Sequence, residues 1–262
     1  LMLIAWFGEF TRPTRDADLL GFGDLSPASL EATFREICET AVEPDGMIFD
    51  VSTLRIAPTR LDDDYGGWRV LMVAQLGAAR LRVQVDVGIG DAVEPPPVML
   101  DYPSLLDAPR PLLRAYQPET AIAEKFHAMV DLGEANSRMR DFYDIRVLAE
   151  RRAFDGATLA GAISSTFQRR STTLGPELPV ALTAAFATVP GKHEQWEGFL
   201  RKSRLLSISA VGLVSGTPSS CASAPIASRV SATAWVSSLV RASRLAMIAS
   251  SFRAGVNPSV LG

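Results

Sequence analysis

Cysteine is scarce in this sequence. Cys38 and Cys221 are too few for a disulfide framework, and they lack the spacing of a zinc site. A reducing compartment is the default for such a chain, so we expect a cytoplasmic protein. No run approaches the ~20 uninterrupted apolar residues of a membrane span, so no membrane partner is expected. The opening run, LMLIAWFGEF, lacks the basic start and the cleavage site of a signal peptide.

Positive charge is also limited. The formal net charge is −3, which excludes a strongly basic nucleic-acid-coating protein but not a local basic patch. Lysine is especially rare, because only Lys125, Lys192 and Lys202 are present among 26 basic residues. Hydrophobic residues make up 47% of the chain, as in ordinary globular proteins. The 262 residues are enough for one large domain or two small ones.

The composition changes after Arg204. The last acidic residue is Glu197, and the segment 206–262 is rich in serine, alanine and valine without a steady period. We predict a disordered or frame-shifted tail over 206–262. The alternative is a genuine apolar tail with an amphipathic helix over 233–252.

Hydrophobic periodicity predicts an α+β half followed by an all-helical half, with domains over 1–115 and 116–205. Ser26 and Pro27 suit the N-cap and first turn of a helix over 27–41. The proline-rich stretch 94–111 is predicted to be irregular. Alternating or β-branched patterns predict the strands DADLLGFG, MIFDVSTLRIAP, WRVLMVAQL and RLRVQVDVGIG. Further helices are predicted over 1–8, 118–131, 139–151, 155–169, 177–187 and 193–203.

Two carboxylates stand two positions apart at Asp16 and Asp18. On a strand they point to the same face, where two neighbouring negative charges are costly unless a cation neutralises them. Asp86 ends a strong strand whose Val83, Val85 and Val87 share the opposite face, so it could face these acids from a neighbouring strand. Three such carboxylates suit a magnesium pair for phosphoryl or nucleotidyl transfer. The alternatives are an ordinary acidic turn and a solvent-facing polar position.

The helical half carries a lysine and two acids. Lys125 lies beside a small apolar face of AIAEKFHAMV, where its ammonium could neutralise a triphosphate or simply reach solvent past a buried stem. In RDFYDIRVL, Asp141, Asp144 and Leu148 share one helical face. A salt-bridged helix is the alternative for this second segment.

Other catalytic patterns are missing from the sequence. The only histidines, His127 and His193, are not near a serine or cysteine in a triad-like context, and His127 is predicted to be packed or at the surface. The sequence contains no phosphate-binding Walker loop, GxSxG or HExxH motif. Gly88 and Gly90 are predicted to close a strand.

The segments FTRPTRDADLL, the strand ending at Asp86, AIAEKFHAMV and RDFYDIRVL resemble, in order and spacing, the AbiEii/AbiGii toxin family of nucleotidyltransferases. This family is a distant branch of the DNA polymerase β-like superfamily, and the resemblance covers about residues 1–205. It implies a small mixed sheet with flanking helices that carries the catalytic acids, followed by a helical domain.

The resemblance also implies site residues. Asp16, Asp18 and Asp86 would bind Mg²⁺ or Mn²⁺, Lys125 would contact a nucleoside triphosphate, and Asp141 would be an essential acid with Asp144 behind it. Arg12 and Arg15 would flank the phosphates. Family members are toxins of toxin–antitoxin or phage-defence systems, and some add nucleotides to the 3′ end of tRNA. The implied partners are therefore a nucleoside triphosphate, the tRNA acceptor end and an antitoxin. The basic side chains expected to bind RNA are Arg138, Arg140, Arg146, Arg151, Arg152, Arg169 and Arg170.

Two alternative functions remain open at the level of the sequence. The family carries a Gly-Gly or Gly-Ser element just before the Asp-x-Asp, which by spacing would fall upstream of Leu1, so the N-terminus is predicted to be truncated. Without that element the chain could be an inactive module that binds a nucleotide or the antitoxin. It could also be a transferase that modifies a protein hydroxyl.

Overall fold

The computed structural model describes residues 2–8, 12, 16–42, 44–59, 66–104 and 109–205. They fall into two compact units, the first with 2–4 and 16–91 and the second with 5–8, 12 and 92–205. The helices are α1 (Met2–Phe7), α2 (Pro27–Glu39), α3 (Pro118–Leu132), α4 (Met139–Arg151), α5 (Gly156–Arg169), α6 (Ala184–Thr188) and α7 (Lys192–Lys202). The strands are β1 (Asp16–Gly21), β2 (Met47–Pro58), β3 (Gly67–Leu76), β4 (Ala79–Ile89), β5 (Val98–Asp101) and β6 (Leu112–Ala115).

The first unit contains a four-stranded mixed sheet in the order β1-β4-β3-β2. The strand β1 runs parallel to β4, while β3 pairs antiparallel with both β2 and β4. The two-residue turn at Gly77 and Ala78 joins β3 to β4, and the positive φ of Gly77 suits such a hairpin. The expected α+β fold with a small mixed sheet is therefore confirmed.

One helix covers one face of this sheet. The side chain of Ser26 caps α2 by accepting from the Ser29 N–H, and Pro27 occupies the first turn, as the sequence predicts. Leu30 and Phe34 of α2 pack against the buried row Leu54, Val70, Met72, Val85 and Val87. Side chains alternate along a strand, so the buried pairs Val70 and Met72 of β3 and Val85 and Val87 of β4 are each two positions apart.

The edge strand β2 contains an irregularity between Asp50 and Arg55. The Thr53 hydroxyl accepts a hydrogen bond from the Val73 N–H at 2.9 Å. This side chain therefore supplies the acceptor that the interrupted strand pairing does not.

The second unit includes a hairpin of β5 and β6, and β5 lies within the stretch 94–111 for which the sequence predicts an irregular conformation. Within 94–111, residues Val98–Asp101 form β5, which pairs antiparallel with β6. The prolines at 95–97 and 103 flank β5 rather than interrupt it, so they leave its hydrogen bonding intact. The prediction of an irregular stretch was therefore wrong over β5.

The helices of the second unit follow the predicted periodicity, with one exception. The predicted helix over 177–187 is replaced by a 3₁₀ turn, Val180–Leu182, followed by the short α6. Thr183 between them is extended, and its hydroxyl donates to the Val180 carbonyl. This local bond competes with continuous helix formation, which explains the break.

Aromatic packing forms the core of the second unit. Phe126 lies 5.5 Å from Phe167, and Phe142 stacks on Phe186 at 5.3 Å, between ring centroids. Lys192 is buried there, where its ammonium donates to the Asn136 carbonyl at 2.8 Å and lies 4.8 Å from the centroid of the Phe186 ring. Lys192 is thus a packed residue of this core.

Among the described helices, none is long and apolar enough to cross a membrane. The predicted tail over 206–262, and with it Cys221, falls outside the described residues.

We expect the contact between α2 and the sheet to dominate the stability of the first unit. Replacing buried Phe34 with alanine should lower the free energy of unfolding by about 3–5 kcal/mol, since it leaves a cavity. Ile37→Ala, on the same helix but 59% exposed, should change it by less than about 0.5 kcal/mol. Hydrogen exchange of the β3 amides in urea measures both. Equal effects of the two variants would contradict this packing.

Candidate active site

The parallel pairing of β1 with β4 brings two of the predicted acids together. Asp18 lies opposite Asp86 in the register. Neighbouring strands are about 4.8 Å apart, so the two carboxylates share one face within reach of one cation. Ala17 and Val85 pack into the core on the other face, so the acids lie on the face that α2 does not cover. The sequence-based expectation that Asp86 faces the β1 acids is thus met for Asp18.

The other predicted metal ligand is only partly described. The backbone of Asp16 pairs with Gln84, two residues before Asp86 on the same face of β4. The Asp16 side chain and Arg15 fall outside the described part of the chain. The roles of Asp16 and Arg15 therefore stay predictions.

Arg69 on β3 holds the carboxylate of Asp86. Its Nε and Nη2 donate to the two carboxylate oxygens at 2.8 and 2.9 Å, which is a bidentate ion pair. The side chains remain 39% and 24% exposed, respectively. Sequence reasoning missed Arg69, although it is the only charged residue of β3. That isolated charge in an otherwise apolar strand was the available signal.

Asp18 and Asp86, here called the acidic row, offer the ligand atoms that a hard divalent cation prefers. Mg²⁺ and Mn²⁺ prefer carboxylate oxygens, and Asp18 and Asp86 supply them from two fixed strands. Among the side chains that are described, no group of three or more potential ligands could hold a metal ion. A three-carboxylate site would thus need the side chain of Asp16.

A second charged cluster occupies the helical unit. Lys125 of α3 donates to Asp141 at 3.0 Å and lies 3.0 Å from Asp144, both on α4. The two carboxylates are 3% and 1% exposed, and the lysine side chain is 22% exposed. Asp141 and Asp144 are three positions apart, so one face of α4 presents both to the same ammonium. The motifs AIAEKFHAMV on α3 and RDFYDIRVL on α4 therefore contact each other through this lysine and these two aspartates.

Arg12 completes this helical charge cluster. Its Nε and Nη2 each lie 2.6 Å from one carboxylate oxygen of Asp144. The family resemblance implies that Arg12 flanks phosphates; it does not predict this contact, which joins residues 132 positions apart. The phosphate role of Arg12 stays a prediction, while its described contact is with a buried acid.

The pKa values in the cluster follow from these pairs. Burial by itself would raise the pKa of Asp144, but the hydrogen bonds from Arg12 and the charge of Lys125 outweigh it and hold the pKa below the usual 3.8. Burial would likewise lower the pKa of Lys125, but the charges of Asp144 and Asp141 raise it above 10.5. Asp144 and Lys125 are therefore both charged at neutral pH.

One oxygen in the cluster is incompletely satisfied. Asp141 Oδ2 is buried and accepts no hydrogen bond within the described structure, although Arg138 Nε lies 2.6 Å away. Counting Arg12, Lys125 and Arg138 against the two aspartates leaves these five described side chains with one net positive charge. The cluster can therefore attract an anion even though each carboxylate is paired.

His127 was predicted to be either packed or at the surface, and the structure shows that it is packed. Its Nε2 lies 2.7 Å from the Thr172 hydroxyl, and Arg170 approaches Nδ1 at 3.3 Å. Burial and the charge of Arg170 lower the pKa of His127. These contacts hold the imidazole of His127 between α3 and the end of α5, which is a structural role.

We expect Asp144→Asn to destabilise the helical unit at pH 7 by about 3–5 kcal/mol, because Arg12 loses a buried partner. The lowered pKa means that the carboxylate stabilises the fold above its unfolded pKa, and that this stability is lost as the pH falls. The difference from the wild type should therefore shrink below pH 3.8. Urea unfolding at several pH values measures it, with exposed Glu134→Gln as the control. A pH-independent difference would contradict the ion-pair assignment.

The solved structures that are similar to this chain include two crystal structures from Helicobacter pylori. One is a candidate nucleotidyltransferase from H. pylori, with 14% identity, a TM-score of 0.44, and coverage of 96% of this chain and 86% of that one. The other is JHP933 from Helicobacter pylori, with 15% identity, a TM-score of 0.38, and coverage of 80% and 86%. No curated protein matches.

The family comparison covers both units. The sequence profile described as "Nucleotidyl transferase AbiEii toxin, Type IV TA system" matches residues 1–210. This range includes Asp18 and Asp86 of the sheet, and it includes the helical charge cluster of Arg12, Lys125, Arg138, Asp141 and Asp144. The chain therefore belongs to the AbiEii family of nucleotidyltransferase toxins of type IV toxin–antitoxin systems.

Proposed function

We propose that this nucleotidyltransferase transfers a nucleotide from a nucleoside triphosphate to the 3′-hydroxyl of an RNA, with the tRNA acceptor end as the substrate. The transfer forms a bond between the 3′ oxygen and the α-phosphorus, and it breaks the bond to the β-phosphate. Pyrophosphate leaves, and the hydroxyl proton passes to solvent. In a cell, transfer to tRNA 3′ ends accounts for toxicity, which the cognate antitoxin would suppress.

The observation that carries this proposal is the pairing of Asp18 with Asp86 on parallel strands. The strand register brings both residues to the face away from the core, and Arg69 holds the carboxylate of Asp86 there. Both are candidate ligands for Mg²⁺ or Mn²⁺, and Asp16 is proposed as the third. A bound metal pair would activate the attacking oxygen and stabilise the leaving pyrophosphate.

The helical cluster supplies the proposed phosphate-neutralising charge. The two buried carboxylates of Asp141 and Asp144 stabilise the charged form of Lys125 and hold its ammonium in place. The positioned ammonium can then bind a phosphate. Asp141 and Asp144 act here as positioning residues, because both fix the lysine ammonium. Asp144 also holds Arg12, so the proposed nucleotide contacts depend on it indirectly.

Exposed arginines of the helical unit favour an RNA acceptor over a protein acceptor. Arg140 and Arg152 are exposed at opposite ends of α4, and Arg169 lies at the end of α5. These guanidinium groups can bind phosphates while the whole chain stays net negative. Phosphate contacts of this kind make the affinity depend on salt.

The transfer reaction can be measured with the full chain, Mg²⁺, total tRNA and each labelled nucleoside triphosphate in turn. Asp18→Asn should lower the rate at least ~100-fold, because it removes an anionic ligand from the proposed metal site. Asp101→Asn, an exposed acid on β5, should retain the wild-type rate. Retained transfer by Asp18→Asn would contradict the assignment of the acidic row.

The same assay distinguishes the alternatives. Label on a protein, including a co-purified antitoxin, would favour modification of a protein hydroxyl. Nucleotide binding without transfer, in a folded sample, would favour an inactive binding module. Label on RNA that Asp18→Asn abolishes would support RNA nucleotidyl transfer.

Salt dependence tests the RNA partner separately. Replacing Arg140 and Arg152 together with glutamine should weaken tRNA binding and reduce the slope of log K against log salt by up to about 2. Filter binding between low and moderate salt measures this slope. Arg80→Gln, an exposed arginine of β4, should leave it unchanged. A salt-independent affinity would contradict an RNA partner.

A further inference from the structure

We propose that Arg69 is a positioning residue that opposes metal binding at Asp86. The Arg69 guanidinium donates to both oxygens of that carboxylate, at 2.8 and 2.9 Å. A metal ion must then displace or share this partner, so Arg69 sets the metal affinity of the site. This inference rests on the proposed function, because it takes Asp86 to be a metal ligand.

The geometry of the pair supports competition. Two parallel N–H···O contacts engage each oxygen of Asp86 once. Gln84 Nε2 also donates to both oxygens, at the longer distances of 3.5 and 3.4 Å. A metal ion that shares the carboxylate with Arg69 therefore needs to displace only this weaker donor. In that case the guanidinium charge still lies beside the cation and repels it. Both arrangements therefore lower the metal affinity.

The sheet fixes the arginine backbone but not its guanidinium. Arg69 lies opposite Asp86 in the antiparallel register, and its chain neighbours Trp68 and Val70 pack in the core. The strand cannot shift without disrupting that packing. The Arg69 side chain, however, is 39% exposed, so water can replace its contacts with Asp86. Release of Asp86 is thus a side-chain motion within an unchanged sheet.

Two other roles for Arg69 predict different changes in metal affinity when the residue is removed. If Arg69 only oriented Asp86 for the metal, its removal would leave the carboxylate mobile and weaken metal binding. If it only stabilised the sheet, its removal would lower stability without changing the metal affinity of the folded protein. The sign of the affinity change therefore decides between these roles.

The test is titration of the full chain with Mn²⁺ alone, followed by electron paramagnetic resonance of the free ion. Arg69→Met should bind Mn²⁺ about three-fold or more tightly than the wild type, since a part-exposed ion pair need not be broken. Arg69→Lys keeps the charge but cannot form the two-pronged contact, so its affinity should lie between the two. Circular dichroism establishes that each variant is folded.

Two further variants serve as controls. Arg82→Met removes a charge from the same face of β4, four residues from Asp86, or about 13 Å along a strand. At that distance screening by salt makes its effect small, so the Mn²⁺ affinity should stay within about two-fold of the wild type. Asp86→Asn should lose the tight Mn²⁺ site.

The outcomes separate this inference from the proposed function. Unchanged or weaker Mn²⁺ binding by Arg69→Met overturns the opposing role while leaving the metal site in place. If Arg69→Met does not fold, an affinity of Arg69→Lys equal to or below that of the wild type has the same meaning. If no folded variant binds Mn²⁺, the proposed metal site fails, and the inference fails with it. Binding by Arg69→Met where the wild type binds none supports both.

Discussion

The parallel pairing of β1 with β4 is the constraint on which the acidic site depends. A slip of one residue in this register would turn Asp18 towards the core and Ala17 towards solvent. Close packing at the end of β1 helps to fix the pairing. A Cβ atom at Gly21 would lie 2.6 Å from Leu25 Cδ2 and 2.9 Å from Val87 Cγ1, so any larger residue would force these side chains to shift. The core that fixes the strands thereby also fixes the carboxylates.

The two units carry their acids in different electrostatic states. Asp86 is part-exposed and paired with the part-exposed Arg69, whereas Asp144 is buried between Arg12 and Lys125. An exposed pair contributes little to stability and can be exchanged for another partner. A buried pair is costly to break and therefore holds its members in place. This difference suits the acidic row for ligand exchange and the helical cluster for positioning.

Local patterns made much of the fold predictable from the sequence. The alternation Val83, Val85, Val87 predicted which face of β4 carries Asp86, and the apolar spacing predicted the bounds of α4. The bidentate contacts of Arg12 and Arg69 were not predictable, because each joins residues that only the tertiary fold brings together. The hairpin β5–β6 was missed because composition alone does not tell whether prolines flank a strand or interrupt it.

The central claim is that Asp18 and Asp86 form one cation site of a nucleotidyltransferase. Its most direct test is a crystal structure with Mn²⁺ and a non-hydrolysable nucleoside triphosphate analogue, measured at the manganese absorption edge. The account predicts an anomalous peak within ligand distance of both carboxylates, with the Arg69 guanidinium moved from at least one oxygen of Asp86. Bound nucleotide with no manganese at either carboxylate, and the Arg69–Asp86 pair unchanged, would contradict it.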